Sequence, residues 1–375
     1  MAKSTPDVIE VRPSAAKNII TRAFQAKRPL FLWGPPGIGK SEIVEGIARS
    51  GAIGNATVID LRLALMEPTD LRGFPMVAPD TQEMIWAPAR ELPTEAMASE
   101  YDTVVLFLDE LNSAPPSVQA AAYQLILNRR IGEYRLPNNV VVIAAGNRDT
   151  DRGVTFRMPT PLANRFRHLN MVVEFEDWQS WAINSGIHPD VIGYLTYAKG
   201  DLFQFDPKTA SQAFATPRSW TFVSELLYVD GFDTAPKTEQ FAEVTGAVGQ
   251  GIAHKFIEHR RIAGKMPIAA DILSGKVTKL NDDLKREISA MYSLTVNMAY
   301  EIQGEYKRED RDDEKFGKKL NNMIRFAFDN FQPEMVILLL KTVLTEYKVK
   351  FNIRRDLDKD VRDTFQKRYM EFILD

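Results

Sequence analysis

The 375 residues carry 47 lysines and arginines against 50 aspartates and glutamates, giving a formal charge of −3 at neutral pH with 45% hydrophobic and 26% charged residues. That balance excludes a disordered chain and a broadly basic nucleic-acid binder, although local basic patches are compatible with it. The lack of cysteine excludes disulfides and thiolate metal sites, and the four histidines (His168, His188, His254 and His259) show no metal-ligand spacing beside a carboxylate motif.

The length predicts two or three domains. No apolar core follows the first basic residue of the N-terminus, so no secretory leader is expected, and no run approaches the roughly 20 apolar residues that span a bilayer. Both features point to a cytoplasmic protein without membrane insertion. A helix is expected over 14–25, with Ser14 able to cap it. Leu30-Phe31-Leu32-Trp33 is a short apolar run that stops at Gly34-Pro35-Pro36-Gly37, as a buried parallel strand does before a turn. A helical pattern resumes over 40–49. Further strands are expected over 57–61, 104–108, 140–145 and 169–173, with a helix over 117–129. Strands alternating with helices give an α/β fold, a parallel sheet covered on both faces. The stretch 62–101 is long for one connection and is chopped by Pro68, Gly73, Pro75, Pro79, Pro88 and Pro93, which marks an elaborated insertion.

Past about Phe175 the pattern turns helical, with helices expected over 191–198, 219–229 and 239–258. From about Met266 it stays helical, over 280–303, 316–331 and 333–347, and the mixed-charge run 305–315 reads as a solvated loop or frayed helix end. The expected division is therefore 1–175 for the sheet domain, 176–265 for a helical domain and 266–375 for a helical C-terminal region of unknown role.

Gly34-Pro35-Pro36-Gly37-Ile38-Gly39-Lys40-Ser41 fits G-x-x-x-x-G-K-[ST] without a mismatch. In that pattern the glycines let backbone N–H groups turn inward around phosphates, and the following helix N-terminus adds favourable partial charge. Lys40 then reaches the β- and γ-phosphates, and the Ser41 hydroxyl is a Mg²⁺ ligand. Val104-Val105-Leu106-Phe107-Leu108-Asp109-Glu110 is an apolar strand ending in two acids. Asp109 is placed to hold Mg²⁺ and Glu110 to orient or deprotonate a water. Asn147 follows the strand 140–145 at its carboxyl end, where it either touches a γ-phosphate or its water, or simply ends the strand as a turn asparagine. Thr216-Pro217-Arg218 reads as a helix start, with Thr216 as N-cap and Pro217 at the first helical position. A cation there opposes the helix dipole, so Arg218 is either a partner for a bound anion or an ordinary surface arginine.

This series, in this order, resembles the AAA+ superfamily over roughly residues 10–265. Asp109-Glu110-Leu111-Asn112-Ser113-Ala114-Pro115-Pro116, with Gln119 and Leu125, is similar to the MoxR-type and dynein-related branch. So are Trp86-Ala87-Pro88 and Leu162-Ala163-Asn164-Arg165-Phe166. That branch interrupts its second helix with a β-hairpin, which would account for the insertion at 62–101. The resemblance implies a P-loop AAA+ nucleotide-binding domain followed by a helical lid, assembled as a homo-oligomeric ring, usually a hexamer, with ATP between subunits. It assigns sensor 1 to Asn147, sensor 2 to Arg218 and the arginine finger to Arg165, with Arg167 near enough to contest the last.

Trp178 and Trp181 read as packing residues. Phe74 and Met76 either face a ring pore and grip a polypeptide, or pack the hairpin. The expected function is an ATPase that remodels or activates a protein client, in the manner of MoxR-like chaperones that act with a von Willebrand A-domain partner. A nucleic-acid-directed motor is the alternative. A nucleotide-binding scaffold without turnover is disfavoured by the intact Asp109 and Glu110.

Overall fold

The computed structural model describes residues 9–80, 82–148, 151, 156, 158–208 and 212–369, so residues 1–8, part of the stretch read for a leader, lie outside it. The chain divides into two units, Met1–Glu174 with Asp206–Ala210, and Phe175–Phe205 with Ser211–Asp375.

In the first unit, β1 (Glu10–Val11) leads into α1 (Pro13–Gln25), then β2 (Leu30–Trp33), α2 (Lys40–Arg49) and β3 (Ala56–Arg62). The insertion holds α3 (Pro68–Arg72), β4 (Phe74–Val77), β5 (Met84–Ala87) and α4 (Glu95–Ala98). Next come β6 (Thr103–Asp109), α5 (Pro116–Asn128), the short pair β7 (Arg130–Ile131) and β8 (Tyr134–Arg135), β9 (Val140–Gly146), α6 (Thr160–Ala163) and β10 (Arg167–Met171). Six strands form one sheet in the order β1-β10-β2-β9-β6-β3, and every pairing in it is parallel. The apolar runs account for this: β9 is buried throughout and β6 along its interior, as strands covered on both faces must be. The helix expected from Ser14 begins one residue earlier. Pro13 takes the first helical position, where its missing N–H is harmless, and Arg12 stands at the N-cap without a side-chain cap bond.

The insertion contains the β-hairpin that the resemblance implied, with Phe74 opposite Ala87 and Val77 opposite Met84. Leu61, Leu63, Leu71, Leu92 and Ala98 root it in the sheet's core. The hairpin itself is exposed: Phe74 is 61% accessible, Met76 54% and Met84 69%. Packing of Phe74 and Met76 into a hairpin core is thereby set aside.

The second unit is helical: α7 (Phe175–Asn184), α8 (Pro189–Tyr197), α9 (Pro217–Leu227), α10 (Lys237–Val248), α11 (Gln250–Ala263) and α12 (Ala269–Leu273), then α13 (Asp282–Lys285), α14 (Ile288–Lys307), α15 (Asp313–Asn330), α16 (Pro333–Lys341), α17 (Ile353–Asp356) and α18 (Lys359–Arg368). The single helix expected over 239–258 is two helices, interrupted at Gly249, whose φ of +84° leaves the helical region. The helix expected over 333–347 passes into a π turn at Thr342–Glu346. Trp178 is buried on α7, in keeping with a packing role. α14 is the hub of the unit, packing on α8, α11, α12, α15 and α16, so residues before and after 265 share one core. Among the described residues, no helix is long and apolar enough to cross a membrane.

That core holds an unusual histidine. His259 on α11 is 4% accessible, neither ring nitrogen has a hydrogen-bond partner among the described residues, and its ring meets Tyr194 edge-on at 5.3 Å. Burial, helped by Arg260 and opposed by Asp190, lowers its pKa to about 4 from an ordinary 6.5. The folded chain thus keeps the ring neutral while the unfolded chain takes a proton near 6.5. Stability is lost as pH falls from about 6.5 towards 4, by on the order of 3 kcal/mol from this residue. His259→Phe should keep the ring contact and flatten that slope, as read from chemical denaturation at pH 7 and pH 4.5. An unchanged slope would show that other groups set the acid sensitivity.

Candidate functional site

Strand β2 runs between β10 and β9, pairing Trp33 with Asn170 on one side and Gly146 on the other. The Gly34 N–H then donates to the Gly146 carbonyl at 3.3 Å, so the loop that follows starts from a fixed point. Within it Gly37 and Gly39 have φ of +76° and +88°, which a side chain would strain. Gly39 is the N-cap of α2 and supplies no side-chain cap bond. The amide end of a ten-residue helix therefore opens on the loop, an arrangement suited to an anion. The Lys40 ammonium donates to the carbonyls of Gly34 at 2.8 Å and Pro35 at 3.1 Å, and to Asn147 Oδ1 at 3.3 Å. It spans from the loop to the end of β9. Pro35, Gly37 and Ile38 are buried, and Ser41 is half-buried one residue into α2.

At the end of β6, Glu110 adopts a left-handed backbone, φ +56° and ψ +32°. For a residue with a Cβ this costs about 1–2 kcal/mol. Asp109 Oδ1 accepts the Glu110 N–H at 2.9 Å and holds the turn. The Glu110 carboxylate is half-buried and makes no hydrogen bond or ion pair among the described residues. The neighbouring Asp60 on β3 reaches the surface, yet desolvation, and then the charge of Asp109, raise its pKa above the ordinary carboxylate range. Negative charge is thus crowded at this end of β3 and β6, where a cation is favoured.

Among the described residues no group of three or more His, Asp or Glu side chains is arranged to hold a metal. A magnesium ion fits that supply, because it takes one or two protein oxygens and fills its shell with phosphate and water. The Ser41 hydroxyl and the Asp109 carboxylate would be the hard oxygen donors for it.

Asn112 lies three residues after Asp109, in the turn beyond β6. It is 1% accessible, and its Nδ2 donates to the Asn147 carbonyl at 2.7 Å, fixing that residue's backbone. Its Oδ1 has no partner among the described residues. Arg148, also unassigned from sequence, donates to the Met171 carbonyl at 2.7 Å and ties the turn after β9 to the end of β10. Nothing in the spacing marks these two residues, because their partners are backbone carbonyls 35 and 23 residues away.

The site residues do not all converge. The loop 34–41, Asp109, Glu110 and Asn147 lie at the carboxyl ends of the parallel strands, and Lys40 touches Asn147 directly. Arg165 is exposed in the turn after α6, and Arg167 is exposed at the start of β10, opposite Leu30. Both therefore sit at the opposite end of β2 from Gly34, and a four-residue strand spans roughly 13 Å. Neither guanidinium is bonded among the described residues. Arg218 belongs to the second unit, exposed at the second position of α9. There Thr216 Oγ1 caps the Ser219 N–H at 3.1 Å and Pro217 takes the first position, as the sequence predicts.

Gly146 is held to glycine by Asn112, since a Cβ there would lie 2.1 Å from Asn112 Oδ1 and 2.9 Å from Phe31 Cζ. Gly146→Ala should destabilise the first unit by about 1–3 kcal/mol. Combining it with Asn112→Ala should cost less than the sum of the two single changes, measured by urea denaturation. Additive costs would mean that the two residues do not constrain each other.

Residues 29–166 match the AAA domain (dynein-related subfamily). Among solved structures, NtrX from Brucella abortus aligns at 16% identity over 73% of this chain and 66% of its own, with a TM-score of 0.36. The same protein in complex with ADP aligns at 14% identity over 92% of this chain and 69% of its own, with a TM-score of 0.38. The RuvB Holliday junction branch migration motor from Thermotoga maritima aligns at 14% identity over 96% of this chain and 86% of its own, with a TM-score of 0.30. The family match starts one residue before β2 and ends one residue before β10. The glycine-rich loop, the acidic end of β6 and Asn147 thus all lie in the segment that matches an AAA domain.

Proposed function

We propose that this chain is an AAA+ ATPase that works as a homo-oligomeric ring and couples ATP hydrolysis to the remodelling of a protein partner. The observation that carries this reading is the Lys40 ammonium, held between two carbonyls of the glycine-rich loop and Asn147 Oδ1. A lysine in that place grips the terminal phosphates, with the loop amides and the N-terminus of α2 around them. Asn147 meets the γ-phosphate or the water beside it, and Glu110 aligns that water and takes its proton. Ser41 and Asp109 would hold a magnesium ion, which would supply positive charge to the phosphate oxygens. Arg165 acts on the nucleotide of the neighbouring subunit, a role supported by its exposure at the far end of β2 from its own loop. For Arg218, on the helical unit, the proposal keeps the sensor-2 role that the resemblance implies.

The protein-directed part of the proposal rests on the hairpin of β4 and β5, which exposes Phe74, Met76, Val77, Met84 and Ile85. An apolar protrusion suits the gripping of polypeptide better than of a phosphate backbone, and a net charge of −3 agrees. A MoxR-like chaperone role in a hexamer, with a partner that bears a von Willebrand A domain, is the finer form of this proposal. The sequence wording at 109–116 supports it.

Two substitutions separate binding from turnover. Lys40→Ala should abolish measurable ATP affinity in isothermal titration, whereas Glu110→Gln should bind ATP with Mg²⁺ nearly normally and release phosphate very slowly. Unchanged affinity in the first, or wild-type phosphate release in the second, would sink the assignment.

The hairpin makes a separate prediction. Replacing Phe74 and Met76 together by Ser should leave basal ATP hydrolysis and the melting temperature close to wild type, because both side chains are already in solvent. Partner remodelling should be lost. Retained remodelling, or single-stranded DNA binding that weakens with salt in the wild type and is lost in this variant, would favour a nucleic-acid motor instead.

A further inference from the structure

His168 stands between the two halves of the proposed catalytic arrangement. On one side Trp33 Nε1 donates to His168 Nδ1 at 2.9 Å. An indole N–H only donates, so Nδ1 is the accepting nitrogen and the proton of the neutral ring is on Nε2. On the other side Nε2 lies 2.8 Å from the Ala163 carbonyl and donates to it. Trp33 is the last residue of β2, immediately before Gly34, and Ala163 is the last residue of α6, two positions before Arg165. The imidazole is therefore a two-ended tie from the mouth of the phosphate-binding loop to the turn that carries Arg165.

Its rings are clamped as well. Phe31 stacks on Trp33 at 4.1 Å and meets Phe166 edge-on at 5.4 Å, and His168 lies against Trp33 at 6.0 Å. The two ends of the tie differ in rigidity. Trp33 is paired in the sheet to both Asn170 and Gly146. α6 is a single turn of four residues, whose buried anchors are Leu162 within it and Phe166 just beyond. The sheet end is the reference and the α6 end is what gets placed.

We propose that His168 is the positioning residue for Arg165, holding the turn after α6 in register with β2 so that the guanidinium is presented to the neighbouring subunit at a fixed height. The proposal rests on the trans role of Arg165 given above. Misplacing a catalytic group by about 1 Å costs on the order of 100-fold in rate, so loss of the tie should lower kcat by about 10- to 100-fold with KM for ATP unchanged.

Mixed rings read the direction of the effect, with composition checked by native mass spectrometry. Lys40→Ala subunits lack a working loop and keep their finger, whereas Arg165→Ala subunits keep the loop and lack the finger. As a control, mixing these two should recover hydrolysis; if it does not, the trans role itself fails and the proposal falls with it. With the control positive, His168→Phe subunits should regain activity beside Lys40→Ala, which lends a sound finger, and should not regain it beside Arg165→Ala, which needs one. Recovery beside Arg165→Ala equal to the control, or recovery in neither mixture, would overturn the proposal. The first shows an unharmed finger and the second a loop damaged along with it. His168→Gln, whose amide still reaches Ala163 as a donor, should restore part of the recovery beside Arg165→Ala, and an effect equal to that of Phe would also count against the tie. Should His168→Phe fail to fold, Trp33→Phe removes the indole donor while keeping the stack on Phe31, and the same two mixtures are expected to give the same asymmetry.

Discussion

Burial of a parallel sheet on both faces organises the first unit. A strand such as β9, buried from Val140 to Gly146, has no room for a polar side chain along its length. Polar groups are displaced to the strand ends, and in a parallel sheet the carboxyl ends all lie on one side. The glycine-rich loop, Asp109, Glu110 and Asn147 share a location for that reason. Their convergence follows from the apolar runs that precede each of them as much as from the motifs themselves.

The same constraint decides what was legible in the sequence. Strands β2, β3, β6, β9 and β10 were readable as apolar runs with turn signals after them, within two residues at each boundary. β1 was not, because a two-residue edge strand carries no periodicity and is defined only by its pairing with Asn170 and Met171. The helical unit was legible as helices and not as helix boundaries. The apolar pattern of 239–258 runs straight through Gly249, and only the backbone angle there shows that the chain turns. The sequence reading divides the chain at about residue 265, within a pattern that is helical on both sides. The packing of α14 on α8 shows one core across that point, and such long-range contacts leave no mark on local composition.

The site was legible where its chemistry demands particular residue types at fixed spacing, as in the loop 34–41 and the pair 109–110. It was not legible where residues act through backbone carbonyls. His168 read as a lone histidine without metal-ligand spacing, and its two partners lie 135 and 5 residues away. Asn112 lies inside the acidic motif, but only the fold brings its amide to the carbonyl of Asn147. The hairpin is an intermediate case. Its existence follows from the resemblance, whereas the exposure of Phe74 and Met76 depends on how Leu63, Leu71 and Leu92 root the insertion and leave the two short strands outside the core.

The unpartnered buried atoms of the first unit gather at the same end of the sheet. In the first unit, the buried side-chain atoms left without partners among the described residues are Asn112 Oδ1, Arg148 Nε and Asn170 Oδ1. Asn112 follows β6, Arg148 follows β9, and Asn170 is the penultimate residue of β10. Glu110, the left-handed residue after β6, lies among them. An orphaned buried polar atom costs about 1–3 kcal/mol, and selection for stability alone would remove several at one place. Proteins keep such defects where the geometry they fix is used for something else. The second unit shows that the argument needs clustering: His259, Thr245, Trp178 and Ser293 also hold unpartnered atoms, but on four different helices without a shared strand end or loop. In the first unit the left-handed Glu110, unpartnered polar atoms, crowded carboxylates and an open helix N-terminus coincide at the ends of adjacent strands, and that coincidence supports chemistry there independently of any motif.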